Sequence, residues 1–366
     1  MKLTVNAQVL KEMVSRAVKG VGNNKLIPLT SLMAIEVKDS TLTLITTDAT
    51  NYLYIIEDKV VADDFYVVID ANTFSKLISK MTCENITLEI KSGMQILEVK
   101  GNGNYKIELP LDENGEPIRY PDPYAKLSTS CTDAGTINRT TVQVILETIK
   151  PALALTLDNP CYTGYYMGDK VVATDTYKIA SMDVKVFDEP HLISSETLDL
   201  VAVANTEKIN VEVTDKDIVF ITPDCIVCGK FMEGLEDFAI DPISDLVDTE
   251  FDSFCSIPKN AILQLLDRLS LFVGPYDKNA VYLTFTQNGL QMSSKAANGV
   301  EIINYVASDN FKDFTCAIDI QMLTQEIKAI SNDVIELYYG EDNAIKMTDG
   351  NITIIVALLE DDNMDD

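Results

Sequence analysis

Residues 70–90, DANTFSKLISKMTCENITLEI, carry two patterns in one run. Asp70 stands where a helix N-cap belongs, and Phe74, Leu77, Ile78 and Met81 share one helical face. Ile86, Leu88 and Ile90 then alternate as the residues of a half-buried strand do. The same order returns twice. Residues 194–213, SSETLDLVAVANTEKINVEV, place Leu198, Val201 and Ala202 ahead of Ile209, Val211 and Val213. Residues 319–339, DIQMLTQEIKAISNDVIELYY, place Ile320, Leu323, Ile327 and Ile330 ahead of Ile335, Leu337 and Tyr339.

Working outward, an earlier amphipathic helix opens each copy. Its apolar stripe is Leu10, Met13, Val14 and Ala17, then Val142, Ile145, Leu146 and Ile149, then Ile262, Leu265, Leu266 and Leu269. All three follow the i, i+3, i+4, i+7 template of a helix with one buried side. Pro151 follows the second of them closely and should stop or kink it. Between the two helices lie paired strands: Ile35 to Val37 and Leu42 to Leu44 about Asp39-Ser40, and Tyr282 to Phe285 and Leu290 to Met292 about Asn288-Gly289. Short turns favour antiparallel pairing over a parallel α/β sheet, so the fold class is α+β. The copies recur at roughly 120–130 residues, the spacing of an internal repeat of whole domains. Turn-rich residues 112–124 and the acidic stretch 237–252 read as linkers, which gives three domains: 1–122, 123–246 and 247–366.

The formal net charge is −28, an objection to any role on nucleic acid unless the positive residues are placed apart. They are. The expected helices, 7–19, 71–81, 139–153, 194–205, 258–273 and 320–331, hold ten basic residues: Lys11, Arg16, Lys19, Lys76, Lys80, Arg139, Lys150, Lys259, Arg268 and Lys328. Against them stand six acidic ones, Glu12, Glu147, Glu196, Asp199, Asp267 and Glu326, so the helices net four positive charges and the remainder 32 negative. Helices lining one surface could face phosphates while the sheets behind them repel nucleic acid. Few phosphate contacts make a weak, mobile, sequence-independent association.

The other motifs exclude more than they propose. Seven scattered cysteines are not a disulfide framework, and Cys225-x-x-Cys228 lacks a second ligand pair, so no metal or cofactor is expected. The single histidine, His191, reads as a loop residue after Pro190. There is no G-x-S-x-G and no phosphate-cradling glycine loop, so the chain does not read as an enzyme. Asp48 and Asp175 recur at matching places in their repeats and are read as turn residues. No apolar run reaches a membrane span, and the N-terminus lacks the apolar core of a signal peptide, so a cytoplasmic protein is expected.

Asn23 to Leu29, with Leu42-Thr43-Leu44-Ile45-Thr46-Thr47-Asp48, resembles the opening of the beta sliding clamps of bacterial DNA polymerase III. Ala173-Thr174-Asp175-Thr176-Tyr177-Lys178-Ile179-Ala180 is similar to the A-T-D-G-H-R-L-A segment of their middle domain. The resemblance covers essentially the whole chain. It implies three repeated domains of the DNA-clamp fold, each with two helices packed on antiparallel sheets, closing as a head-to-tail homodimer into a six-domain ring. Its partners would be double-stranded DNA, the replicative DNA polymerase, the clamp loader, and repair polymerases or ligase bound by short linear motifs.

Carried over by position, the partner-peptide pocket would include Tyr162, Thr174, Thr176, Tyr177, Lys178, Ile179, Met322, Ile354, Ile355, Val356, Ala357 and Leu358. The dimer interface would include Tyr105, Phe272 and Val273, and Lys25 would join the DNA-facing cations. The chain departs from the family at Thr176-Tyr177-Lys178, at the shortened segment from Gly234 to Phe238, and at Val356 to Leu359 before an acidic tail, so the preferred peptide should differ. The rival reading is an acidic repeat scaffold that encircles nothing.

Overall fold

The computed structural model describes residues 1–90, 95–251, 253–295, 298–307, 311–340 and 343–360. Contacts divide the chain into two units, 1–142 with 196–231, and 143–195 with 232–366. The segment 123–246 contributes to both. All strand pairing is antiparallel among the described residues, as the short turns required.

In the first unit a five-stranded sheet runs Val61–Ala62, Lys2–Asn6, Asn85–Ile90, Ile96–Lys100, Asn104–Glu108. An eight-stranded sheet runs Thr132–Asn138, Lys208–Val213, Asp217–Thr222, Cys225–Lys230, Tyr52–Asp58, Thr41–Thr47, Leu32–Lys38, Phe65–Asp70. Its two halves come from different repeats and meet where Cys225–Lys230 pairs with Tyr52–Asp58. The second unit repeats the plan. A nine-stranded sheet joins strand Lys178–Met182 to Ile352–Ala357, and a four-stranded sheet runs Val300–Ile303, Gly289–Ser294, Ala280–Thr286, Phe314–Asp319.

Eight α-helices occur among the described residues: α1 (Ala7–Ala17), α2 (Ala71–Ser79), α3 (Pro123–Leu127), α4 (Arg139–Val144), α5 (Ser195–Val201), α6 (Ile240–Asp248), α7 (Lys259–Leu269) and α8 (Ile320–Ala329). α1 packs on α2, and α7 on α8. Each begins where a strand stops, and Asx side chains cap three of these four: Asn6 accepts from Gln8 and Val9, Asp70 from Thr73, and Asp319 from Gln321 and Met322. The apolar stripes expected for α1 and α7 are buried in full.

Several expectations need correction. The helix expected over 139–153 ends at Val144 and continues as a wide π-type turn, Ile145–Ile149, and a 3-10 turn, Lys150–Ala152. Pro151 supplies no N–H and crowds the preceding turn, so regular i to i−4 bonding cannot run through it. The helix expected over 194–205 stops at Val201. The stretch 237–252, read as a linker, contains α6, whose buried Ile243 packs with Phe238. In the other linker Tyr120 is buried, its hydroxyl donating to the carbonyls of Leu29 (2.9 Å) and Leu32 (2.6 Å). His191 opens a strand, His191–Ser194, opposite Met167, and is not a loop residue.

The matched aspartates build the same turn twice. Thr47 Oγ1 donates to Asn51 O (2.6 Å), Ala49 N–H to Thr47 Oγ1 (3.1 Å), and the N–H groups of Thr50 and Asn51 to Asp48 Oδ1 (2.8 and 2.7 Å). Thr174 Oγ1 donates to Lys178 O (2.7 Å), Thr176 N–H to Thr174 Oγ1 (3.0 Å), and Tyr177 and Lys178 N–H to Asp175 Oδ1 (2.9 and 2.8 Å). Both turns force a left-handed residue, Ala49 (φ 88°) and Thr176 (φ 79°). A β-branched side chain there is strained by roughly 1–2 kcal/mol. Thr176 is exposed and its side chain is not needed for the turn. Thr176→Gly should therefore raise stability by about 1 kcal/mol in urea unfolding, the gain being trimmed by glycine's larger unfolded-state entropy. An unchanged or lower midpoint would contradict the strain.

Candidate nucleic-acid interface and partner surface

α1 and α2 lie side by side and leave an open cleft of about 890 Å³ between their exposed faces. Lys11, Lys19 and Lys76 line it with Gln8, Ser15, Ser75 and Ser79, and Glu12 is the one acid among the lining residues. The helices can approach the sheet closely at Gly20, where an added Cβ would stand 2.5 Å from Thr46 Oγ1. That hydroxyl donates to Ala17 O (2.7 Å) and closes the end of α1. Three ammonium groups over serine hydroxyls can meet phosphate oxygens without reading bases. Lys80 and Lys25 are exposed outside this cleft.

The remaining nominated cations divide. Lys328 is exposed, and Lys150 and Arg139 are half-buried. Lys259 donates to the carbonyls of Lys328 (3.1 Å) and Ile330 and so satisfies the C-terminal end of α8. Arg268 grips Glu301 with two bonds, 2.8 and 2.5 Å, and Glu301 is held below the usual carboxyl value by that contact.

Arg16 departs furthest from a free cation. Its guanidinium is half-buried, bonded to Val203 O (2.8 Å) and to the Asp224 carboxylate. Asp224 also accepts from Asn205 N–H (3.0 Å) and the Thr206 (2.8 Å) and Thr222 (3.0 Å) hydroxyls. Burial alone would raise the Asp224 carboxyl, yet these donors and Arg16 hold it below its ordinary value.

On the second unit, register brings the nominated pocket residues of two distant segments together. Lys178 faces Val356, Ile179 faces Ile355, and Ala180 faces Ile354, while Ala357 N–H donates to Tyr177 O (2.9 Å). Thr174, Lys178, Ile179, Ile354, Ile355 and Val356 are buried, with Ile179 and Ile355 packed beside Phe238 and Lys178 turned toward Glu326. Tyr162, Met322, Ala357 and Leu358 are half-buried; Thr176 is exposed, and Tyr177 is 62% exposed. Phe238, in the segment that departs from the family, stacks on Tyr166 (5.4 Å between centroids) and meets Tyr162 edge-on (5.2 Å). Sequence reasoning missed Leu155, 97% exposed, because an apolar residue in a loop carries no periodic signal. It also missed Glu326, counted as a surface charge and found wholly buried.

Each of the four sheets ends in two terminal strands among the described residues, and two of these carry or lie beside nominated interface residues. Asn104–Glu108, carrying Tyr105, ends the five-stranded sheet, and Val300–Ile303 ends the four-stranded one. Phe272 (51% exposed) lies beside the second, close to Gly299, with Val273 half-buried and Ile302 64% exposed. The edge strand 300–303 was not among the expected interface residues, since its run is too short to mark an edge. Elsewhere the thiols of Cys225 and Cys228 are buried and pushed up to about 12, mainly by burial. No group of three or more His, Cys, Asp or Glu is placed to hold a metal ion among the described residues. No helix among them is long and apolar enough to cross a membrane.

Because Arg16 is an internal tie, Arg16→Met should lower unfolding free energy by about 2 kcal/mol at neutral pH. A depressed carboxyl stabilises above its unfolded pKa and loses that contribution as pH falls through its folded one, so the deficit should shrink in acid. Urea titrations at neutral and acid pH measure both; a deficit independent of pH would show the tie to Asp224 is not what is lost.

Residues 1–116 match the family model of the DNA polymerase III beta subunit, N-terminal domain. No curated protein matches the sequence. Solved structures resemble the whole chain. The DNA polymerase III beta subunit of Thermotoga maritima is 16% identical with a TM-score of 0.82, covering 98% of this chain and 99% of that one. The beta subunit from DNA polymerase of Streptococcus pyogenes is 17% identical at 0.83, covering 99% and 100%. The DNA polymerase sliding clamp of Bacillus subtilis is 15% identical at 0.81, covering 99% of each. The N-terminal third thus matches the family model of the DNA polymerase III beta subunit, and the chain from end to end has the fold of the bacterial sliding clamps.

Proposed function

We propose that this chain is a DNA polymerase sliding clamp, a non-catalytic processivity factor. In this reading the repeats 1–122, 123–246 and 247–366 are its three domains, and two copies close head to tail into a ring around duplex DNA. The observation that carries it is the match to clamps over practically the full length of both chains, with neither side left over. The lysine-lined face of α1 and α2 supports it, because a ring held by topology needs only loose phosphate contacts. The acidic remainder of the chain would discourage binding of DNA anywhere but the bore.

The open edges give closure a physical basis. Strand Asn104–Glu108 of one copy would extend the sheet of the other at Val300–Ile303, burying Tyr105 against Phe272, Val273 and Ile302. Polymerase, clamp loader and other partners would dock by short peptides on the surface around Tyr177, Tyr162, Met322 and Leu358, with Phe238 shaping its limits.

Three outcomes test the reading. Loaded on circular DNA, the protein should be retained, and it should leave when the circle is cut; equal loss from both forms would favour the acidic scaffold. Lys76→Glu with Lys80→Glu should slow loading or sliding while leaving the dimer intact, and an unchanged loading rate would remove α2 from the DNA face. Ile302→Asp should halve the mass measured in solution without unfolding the chain. A dimer that survives it closes through another surface.

A further inference from the structure

Beneath the turn that carries Tyr177 lies a knot of buried charge. Lys178 is 4% exposed and Glu326, on α8, is 0% exposed. The ammonium stands 3.1 Å from Glu326 Oε1 and 3.7 Å from Asp175 Oδ2, and donates to Pro151 O (2.5 Å) and Gln325 Oε1 (3.1 Å). One side chain therefore ties the turn to α8 and to the 150–152 turn. Neither oxygen of Glu326 makes a well-aligned hydrogen bond, so among the described residues it is Lys178 that compensates its charge.

We propose that Lys178 and Glu326 are positioning residues for partner docking: the charged pair holds the 175–178 turn in the shape that presents Tyr177, and the hold loosens when Glu326 takes a proton. The inference rests on the reading of that turn as part of the partner surface.

Burial disfavours a charged Glu326 and raises its carboxyl to about 7, against the pull of Lys178 and helped by Asp175. The other elements packed on α8 bring few competing charges. The 145–152 segment carries Glu147 and Lys150. α7 carries Lys259, Asp267 and Arg268, of which the first is bonded to carbonyls and the last to Glu301. Strands Phe314–Asp319 and Ile352–Ala357 add only Asp319, which caps α8. On α8 itself Lys328 points to solvent. When the proton arrives, the Lys178 ammonium loses its closest counter-ion among the described residues, with Asp175 left at the longer distance. A buried, uncompensated ammonium is costly, so the side chain and its turn move toward water. At the strained Thr176 the backbone has reason to relax once released.

The test uses the full-length chain with methyl-labelled isoleucine and methionine. The signals of Ile179 and Met322 should titrate with a midpoint near neutral pH. In Glu326→Gln they should stay at the wild-type acidic position at every pH. Lys178→Met, which deprives the carboxylate of its counter-charge, should move the midpoint upward by about one pH unit or more; Lys178→Arg should nearly restore it. Signals constant between about pH 6 and 8, or a midpoint unmoved by Lys178→Met, would overturn the latch.

A second reading is DNA synthesis by a bacterial replicative polymerase with its clamp loader, at both pH values. Stimulation by the wild type should drop several-fold more on acidification than stimulation by Glu326→Gln, which should be low and flat. Equal pH ratios for the two would overturn the latch and leave the clamp reading intact. No stimulation by either protein at either pH would count against the clamp reading instead, while the methyl titration still decides the latch.

Discussion

Lys178–Met182 and Ile352–Ala357 pair over five residues although they lie far apart in the chain, and Cys225–Lys230 meets Tyr52–Asp58 in the same fashion. A strand edge exposes unpaired N–H and C=O groups that will bond to something. In this molecule the edges left by one repeat are covered by the strands of another. That requirement explains why the two contact units cut across the segment 123–246: each half of it has its strands in a different repeat's sheet. Asn104–Glu108 and Val300–Ile303 are among the terminal strands that no further strand covers among the described residues.

Charge follows the same division of labour. The expected helices hold more cations than carboxylates and the remainder the bulk of the carboxylates, but a cation on a helix is not automatically free. Arg16 and Arg268 are spoken for by Asp224 and Glu301, and Lys259 by backbone carbonyls. Of the other cations nominated to face DNA, Lys19, Lys25, Lys76, Lys80 and Lys328 are exposed. The positive field is weaker than the raw count suggests, and few phosphate contacts would make any association loose.

Periodicity made the fold class, the six repeated helices and the antiparallel hairpins legible, because burial of one face writes itself into residue spacing. It failed where spacing is not the determinant. Pro151 converts the end of a regular stripe into π and 3-10 turns. α6 lies hidden in an acidic stretch because only Ile243 is fully buried on it. Glu326 occupies a core position of α8 that its residue type disguises, and no pattern in one chain reveals that its partner is Lys178. The residues nominated for the pocket came through resemblance; which of them reach solvent depended on the register of two distant strands.

The turns at Thr47 to Asn51 and Thr174 to Lys178 share one hydrogen-bonded frame of a threonine, an aspartate and the backbone. Nothing at their tips is required for the shape, and one tip reads Ala49-Thr50 where the other reads Thr176-Tyr177. The turn is a socket that accepts different bits. A lineage could retool what this surface presents by changing two side chains, while the scaffold beneath keeps its register and need never be rebuilt.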